Sequence, residues 1–151
     1  MRKTVILIVI SLLVLLGFYG ESRKFFCLPN GQCVTVWKTF NDVCYIVPNK
    51  YYGLFKPSEN YLETTNNNNL TIYLTNQMPN ALIYKSELQV SVINNDKGKC
   101  SFYDYNRDAK RFDQLLYIPN AKRNNDVKSN VQLIDIFIHD NFAQDKNGIK
   151  L

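Results

Sequence analysis

Glycine and proline are scarce, six and five of 151 residues, histidine and tryptophan occur once each, and methionine twice. So few breakers exclude a collagen repeat, a flexible Gly-rich linker and a Pro-rich recognition tract. The glycines are isolated, which leaves no phosphate-cradling loop and no dinucleotide fingerprint. Zinc sites use close cysteine pairs with histidine or further cysteine partners. Here the nearest pair, Cys27 and Cys33, is separated by five residues and His139 is the single histidine, so no metal and no cofactor is expected. No internal repeat and no nucleic-acid recognition motif is present, and nucleic acid is not an expected partner.

What the chain does have is 46% hydrophobic and 13% aromatic residues. A length of 151 residues suits one domain at the usual ~100 to 200 residues. Asparagine is the abundant polar residue, 19 in all, and with Lys, Ile and Tyr it reads as the background of an AT-rich coding sequence. Lys and Arg exceed Asp and Glu by 18 − 13, a charge of +5.

Arg2 and Lys3 precede an apolar run from Val5 to Phe18, the pattern of a secretory signal or a signal anchor. Residues 4–20 are short of the roughly 20 apolar residues that a spanning helix needs. A membrane partner is therefore expected only through that segment, if it stays uncleaved. Gly20-Glu21-Ser22 offers a small-x-small cleavage site. The reading divides the chain into a signal or anchor, 1–22, and one exported domain, 23–151, which is secreted, periplasmic or tethered facing outside the cytosol.

Exported compartments oxidise thiols, so Cys27, Cys33, Cys44 and Cys100 read as disulfide partners. Pro29-Asn30-Gly31 suits a three-residue hairpin loop, with Gly31 in the left-handed position. That register sets Cys27 opposite Cys33. A second hairpin turning at Asn41-Asp42 would pair Cys44 with Thr39 and Ile46 with Trp37, leaving Cys44 for Cys100.

Alternation of apolar and polar residues predicts strands at Cys33 to Phe40, Val43 to Val47, Leu70 to Thr75, Ala81 to Tyr84, Leu88 to Ile93 and Cys100 to Tyr105. A helix is expected from Arg107 to Leu116, capped by Asn106, with Ala109, Phe112, Leu115 and Leu116 on one face. Val131 to Ile138 fits either a strand or a helix, and strand is the reading taken. The expected fold is α+β: mainly an antiparallel sheet with one packed helix, stapled by disulfides.

Two surface features point to binding. Tyr73, Tyr103 and Tyr105 fall on the outward faces of their strands, and Tyr51 and Tyr52, with Trp37 nearby, extend the aromatic set. Such rings suit a protein interface or stacking on sugars. The basic excess sits between Lys97 and Lys128, where Arg107, Lys110, Arg111, Lys122 and Arg123 offer contacts to an anionic surface. The expected function is a small exported non-catalytic binding or inhibitor-like module at the cell envelope or beyond it, recognising a protein or a glycan. The alternatives are a small hydrolase using His139 with Asp135 or Asp140, and a structural envelope protein.

Overall fold

The computed structural model describes residues 2–20, 22–93, 99–119 and 126–151. Lys97, Lys122, Arg123 and the cleavage position at Glu21 lie outside them. Among the described residues an N-terminal helix, α1 (Arg2–Gly20), leads into ten strands and a second helix. Val5 to Val14 of α1 keep half or more of their apolar surface exposed. Among the described residues no helix is long and apolar enough to cross a membrane.

The strands are β1 (Ser22–Cys27), β2 (Cys33–Lys38), β3 (Val43–Pro48), β4 (Tyr61–Thr65), β5 (Asn69–Thr75), β6 (Ala81–Ser86), β7 (Ser91–Ile93), β8 (Ser101–Asp104), β9 (Val131–Phe137) and β10 (Phe142–Asp145). They form two five-stranded sheets, ordered β1-β2-β3-β4-β7 and β10-β9-β5-β6-β8. All neighbours are antiparallel except β6 and β8. The α+β class, the antiparallel pairing and the packed helix agree with the sequence; the division into two sheets was not foreseen.

Alternation explains the packing. Val34, Val36, Cys44, Ile46 and Leu62 of the first sheet meet Leu70, Ile72, Leu82, Ile134 and Ile136 of the second in one buried core. Burying each such side chain contributes roughly 1.5 to 3 kcal/mol. α2 (Ala109–Leu116) then lies on the outside of the second sheet, seating Phe112 and Leu116 against Tyr73, Ile83 and Val131. A 3-10 turn at Tyr105–Arg107 precedes it, capped by Asp104, whose carboxylate accepts from the Asn106 amide. Asn106 is thus not the cap of α2; its side chain donates to the Ser86 carbonyl instead.

The first hairpin has the expected form. Cys27 pairs with Cys33 and is bonded to it, Leu28 N donates to Gln32 O, and Gly31 has φ +85°. This bridge fits an oxidising environment. In the second hairpin Thr39 N donates to Val43 O around a three-residue loop with Asp42 at φ +58°. The loop is one residue longer than read, so Lys38 rather than Thr39 faces Cys44, and Tyr45 rather than Ile46 faces Trp37. A one-residue slip changes which faces meet, so Trp37 shares the outer face with Tyr45 while Ile46 stays in the core.

The expected Cys44–Cys100 bridge is not formed. Cys44 is a thiol on the core side of β3, a central strand, whereas Cys100 precedes β8 at an edge of the other sheet. Burial pushes the Cys44 thiol up to about 12. The strand read from Leu88 pairs only from Ser91, because the Ser86 hydroxyl bonds both the carbonyl and the amide of Leu88 where the chain crosses between sheets.

Buried Asn68 ties the two sheets. Its amide donates to the hydroxyls of Thr64 on β4 (2.7 Å) and Ser86 on β6 (2.8 Å), and its carbonyl accepts from Ser86 (3.0 Å). Asn68→Ala should lower unfolding free energy in urea by about 2 kcal/mol, since buried hydroxyls lose their partner; the exposed neighbour change Asn67→Ala should stay within about 0.5 kcal/mol. Thiolate is the reactive form of cysteine. Iodoacetamide should therefore leave Cys44 unlabelled in the folded protein and label it in denaturant, as read by peptide mass mapping.

Candidate functional site

The outer face of the second sheet is built in rows. One row, Tyr103, Ile83, Tyr73 and Leu133, crosses β8, β6, β5 and β9 and lies under α2. Tyr73 is 3% exposed and Tyr105 8%. The outward direction read for Tyr73 and Tyr103 holds, whereas Tyr105, read as the end of the strand, lies in the 3-10 turn after β8; α2 packs over Tyr73 and Tyr105, so both offer little ring area to a partner. They pack instead: Tyr73 stacks on Tyr105 at 6.0 Å, and Tyr103 and Tyr105 both meet Phe112.

The next row is polar and open. Lys85, Thr71, Asp135 and Gln144 stand directly across from one another on β6, β5, β9 and β10. The Thr71 hydroxyl donates to Asp135 at 2.7 Å. This row floors a groove of about 650 Å³. One wall is the chain after α2, where Tyr117 bridges to Val127; the other is the turn Asp145–Gly148. The Tyr73 and Tyr117 hydroxyls meet at 2.6 Å along one side, and Phe137, stacked on Phe142 at 5.3 Å, lies along the other.

Burial raises the pKa of Tyr73, reinforced by the Tyr117 hydroxyl. Burial also raises that of Tyr105, whose hydroxyl is held by Asp113, and that of Tyr117. The groove therefore presents tyrosine hydroxyls, not phenolates.

On the outer face of the first sheet, Arg23, Trp37, Tyr45 and Glu63 form a row. The Arg23 guanidinium lies 3.9 Å over Trp37. A strap, residues 49–60, folds back over this row. Tyr51 stacks on Trp37 at 6.2 Å, its amide donates to Thr35 Oγ1, and Arg23 donates to Gly53 O at 2.7 Å. A side chain at Gly53 would run into the Tyr51 ring. Lys56 sits over Tyr45 and Tyr61 and pairs with Glu63. Trp37 is buried, Tyr51 half-buried and Tyr52 exposed.

The basic residues Arg107, Lys110 and Arg111 are exposed on and before α2, with Arg107 3.6 Å from Asp104. Of the hydrolase group, Asp135 lies in the polar row, whereas His139 and Asp140 are exposed in the turn after β9. β9 ends at Phe137, so the shared face that a longer strand would give Asp135 and His139 does not arise. Among the described residues no group of three or more His, Cys, Asp or Glu is placed to hold a metal ion. No family model matches the chain, and no curated protein or solved structure is similar to it.

The sequence reading missed Thr71, Lys85, Tyr117 and Gln144 as site residues. Their signal was the polar position opposite each core residue, and it becomes a site only once strand order is known.

Raised phenol pKa values have a definite sign. Below about pH 10, the ordinary tyrosine value, both states hold their protons; above it the unfolded chain releases them first, so stability falls as pH rises. The melting temperature should fall steadily above about pH 10, and a Tyr117→Phe variant should fall less steeply. Differential scanning calorimetry across that range checks it; a flat profile would contradict the buried hydroxyl pair.

Proposed function

We propose that this chain is a small exported binding module, without catalysis, that holds a hydroxyl-rich ligand, a glycan segment, in the groove across the second sheet. The observation that carries the reading is the uncovered row Lys85, Thr71, Asp135 and Gln144 between aromatic flanks. A sugar needs donors and acceptors in alternation together with ring faces for its C–H surface. Lys85 donates, Asp135 accepts, Thr71 and Gln144 do both, and Tyr117 and Phe137 supply the rings. A groove of this volume falls within the usual ~300 to 1,000 Å³ of ligand sites.

Export is supported by the apolar segment behind Arg2 and Lys3 and by the Cys27–Cys33 bridge. A binding role is favoured over hydrolysis by the separate positions of Asp135 and His139, since acid and base must both reach one substrate.

The test is retention of the full chain on immobilised panels of neutral and acidic envelope polysaccharides, with affinities by calorimetry. Asp135→Ala should weaken binding at least about tenfold, or ~1.4 kcal/mol, through loss of its charge-assisted hydrogen bonds. His139→Ala should leave affinity unchanged. Retention of no polysaccharide, or equal affinity for the Asp135→Ala protein, would overturn the proposal.

A further inference from the structure

The strap end of the first sheet presents apolar groups that none of the described residues covers. Phe25 on β1 is 36% exposed, and Tyr52, Leu54 and Phe55 are 69, 73 and 82% exposed. These side chains stand on a fixed backbone. Thr35 Oγ1 donates to Asn49 O and accepts from Tyr51 N, Arg23 holds Gly53 O, and the Tyr51 hydroxyl donates to Phe55 O at 2.8 Å. Phe25 and Tyr52 meet at 5.1 Å, making one patch of strand and strap. A clustered, rigidly held apolar patch marks an interaction surface more than scattered exposed residues do.

Charge and chain continuity identify the occupant. β1 and residues 49–56 carry Arg23, Lys24, Lys50 and Lys56 and no Asp or Glu. Lys24 is on the opposite face of β1 and donates to Asn141 O, so with the nearby Glu59, Glu63 and Lys99 the patch side has four cations minus two carboxylates, a balance of +2. Arg23, which grips the strap at Gly53, is three residues beyond Gly20, the end of the apolar helix α1. Three residues of extended chain span about 10 Å. Arg23, the residue that holds the strap, is therefore kept within that reach of a segment whose described apolar side chains are themselves uncovered.

Apolar and aromatic side chains with a basic rim are the composition of the bilayer interface, where Leu and Phe enter the acyl boundary and Tyr and Lys remain at the headgroups. We infer that residues 52–55 form a membrane-docking tip that seats the domain on an anionic lipid surface, Leu54 and Phe55 inserting beside Tyr52 and Phe25. This surface is on the opposite side of the molecule from the groove and does not depend on the glycan reading.

The experiment uses the full chain reconstituted with vesicles of phosphatidylcholine and phosphatidylglycerol whose acyl chains carry bromine, a short-range quencher of tryptophan. Leu54→Trp reports on the tip, Phe55→Trp is a second reporter should the first misfold, and Ile149→Trp, exposed on the other sheet's side, is the control; all retain the buried Trp37. Bromination should quench the tip reporters at least about twofold more than the control, and replacing phosphatidylglycerol by phosphatidylcholine should reduce the difference. Equal quenching at positions 54 and 149 would overturn the inference. Asp135→Ala should leave tip quenching intact, so unchanged glycan affinity in that variant with quenching preserved would sink the groove reading alone.

Discussion

Alternate side chains of both sheets are committed to one shared core, and the rest of the architecture follows from that burial. A strand that turns Leu70, Ile72 and Leu74 inward has to turn Thr71, Tyr73 and Thr75 outward. Two sheets packed this way have two outer faces, and each is only partly closed. On the second sheet α2 closes the aromatic row and stops, which leaves the polar row as a groove. On the first sheet the strap closes Trp37 and Tyr61 and leaves its own apex uncovered. Both surfaces of interest are the unclosed remainder of a face whose other part had to be buried.

The staple has a smaller part in this than cysteine content suggests. Cys27 and Cys33 lie six residues apart within one hairpin. Closing so short a loop contributes about 2 kcal/mol in the chain-entropy picture, against roughly 4 for the long loop that a Cys44–Cys100 bridge would close. The inter-sheet core carries the fold, with Asn68 fixing how the sheets meet at the β4–β5 crossing.

Much of the fold was legible because local rules and tertiary packing agree. Pro29-Asn30-Gly31 specifies a turn, and its register follows; the strand at Val131 follows from β-branched alternation. Legibility failed where one local choice decided a distant outcome. Asp42 adopts a left-handed conformation that lengthens a turn by one residue and sets Trp37 across from Tyr45 instead of Ile46. β1, β4 and β10 carry too little alternation in Ser-Arg-Lys-Phe-Phe-Cys, Tyr-Leu-Glu-Thr-Thr and Phe-Ala-Gln-Asp to be read without their neighbours. Asparagine was taken for compositional background, yet Asn49, Asn60 and Asn141 occupy positive φ, as the short polar side chains of Asn and Asp allow. Among the described residues positive φ falls on Asp42 and three Asn as well as on Gly31 and Gly148, so a chain with six glycines draws on Asn and Asp for its sharp turns. The outward direction of Tyr73 and Tyr103 was visible in the sequence; that a helix 30 residues or more beyond Tyr73 would cover it was not, because coverage is a property of topology.

The electrostatics of the groove bear on what it can do. General acid or base catalysis is most effective when the group's pKa lies near the working pH. The perturbed phenols run the other way: burial moves Tyr73, Tyr105 and Tyr117 further above neutrality, and it does the same to the Cys44 thiol in the core. Each stays protonated through the physiological range. A hydroxyl that keeps its proton is a dependable donor and acceptor, which serves recognition of a neutral hydroxyl group, whereas proton transfer would require a group poised to let go. Desolvation under α2 thus stabilises the hydroxyl form of Tyr73 and Tyr117 beside the groove, which suits the hydrogen bonding that the proposed glycan site requires.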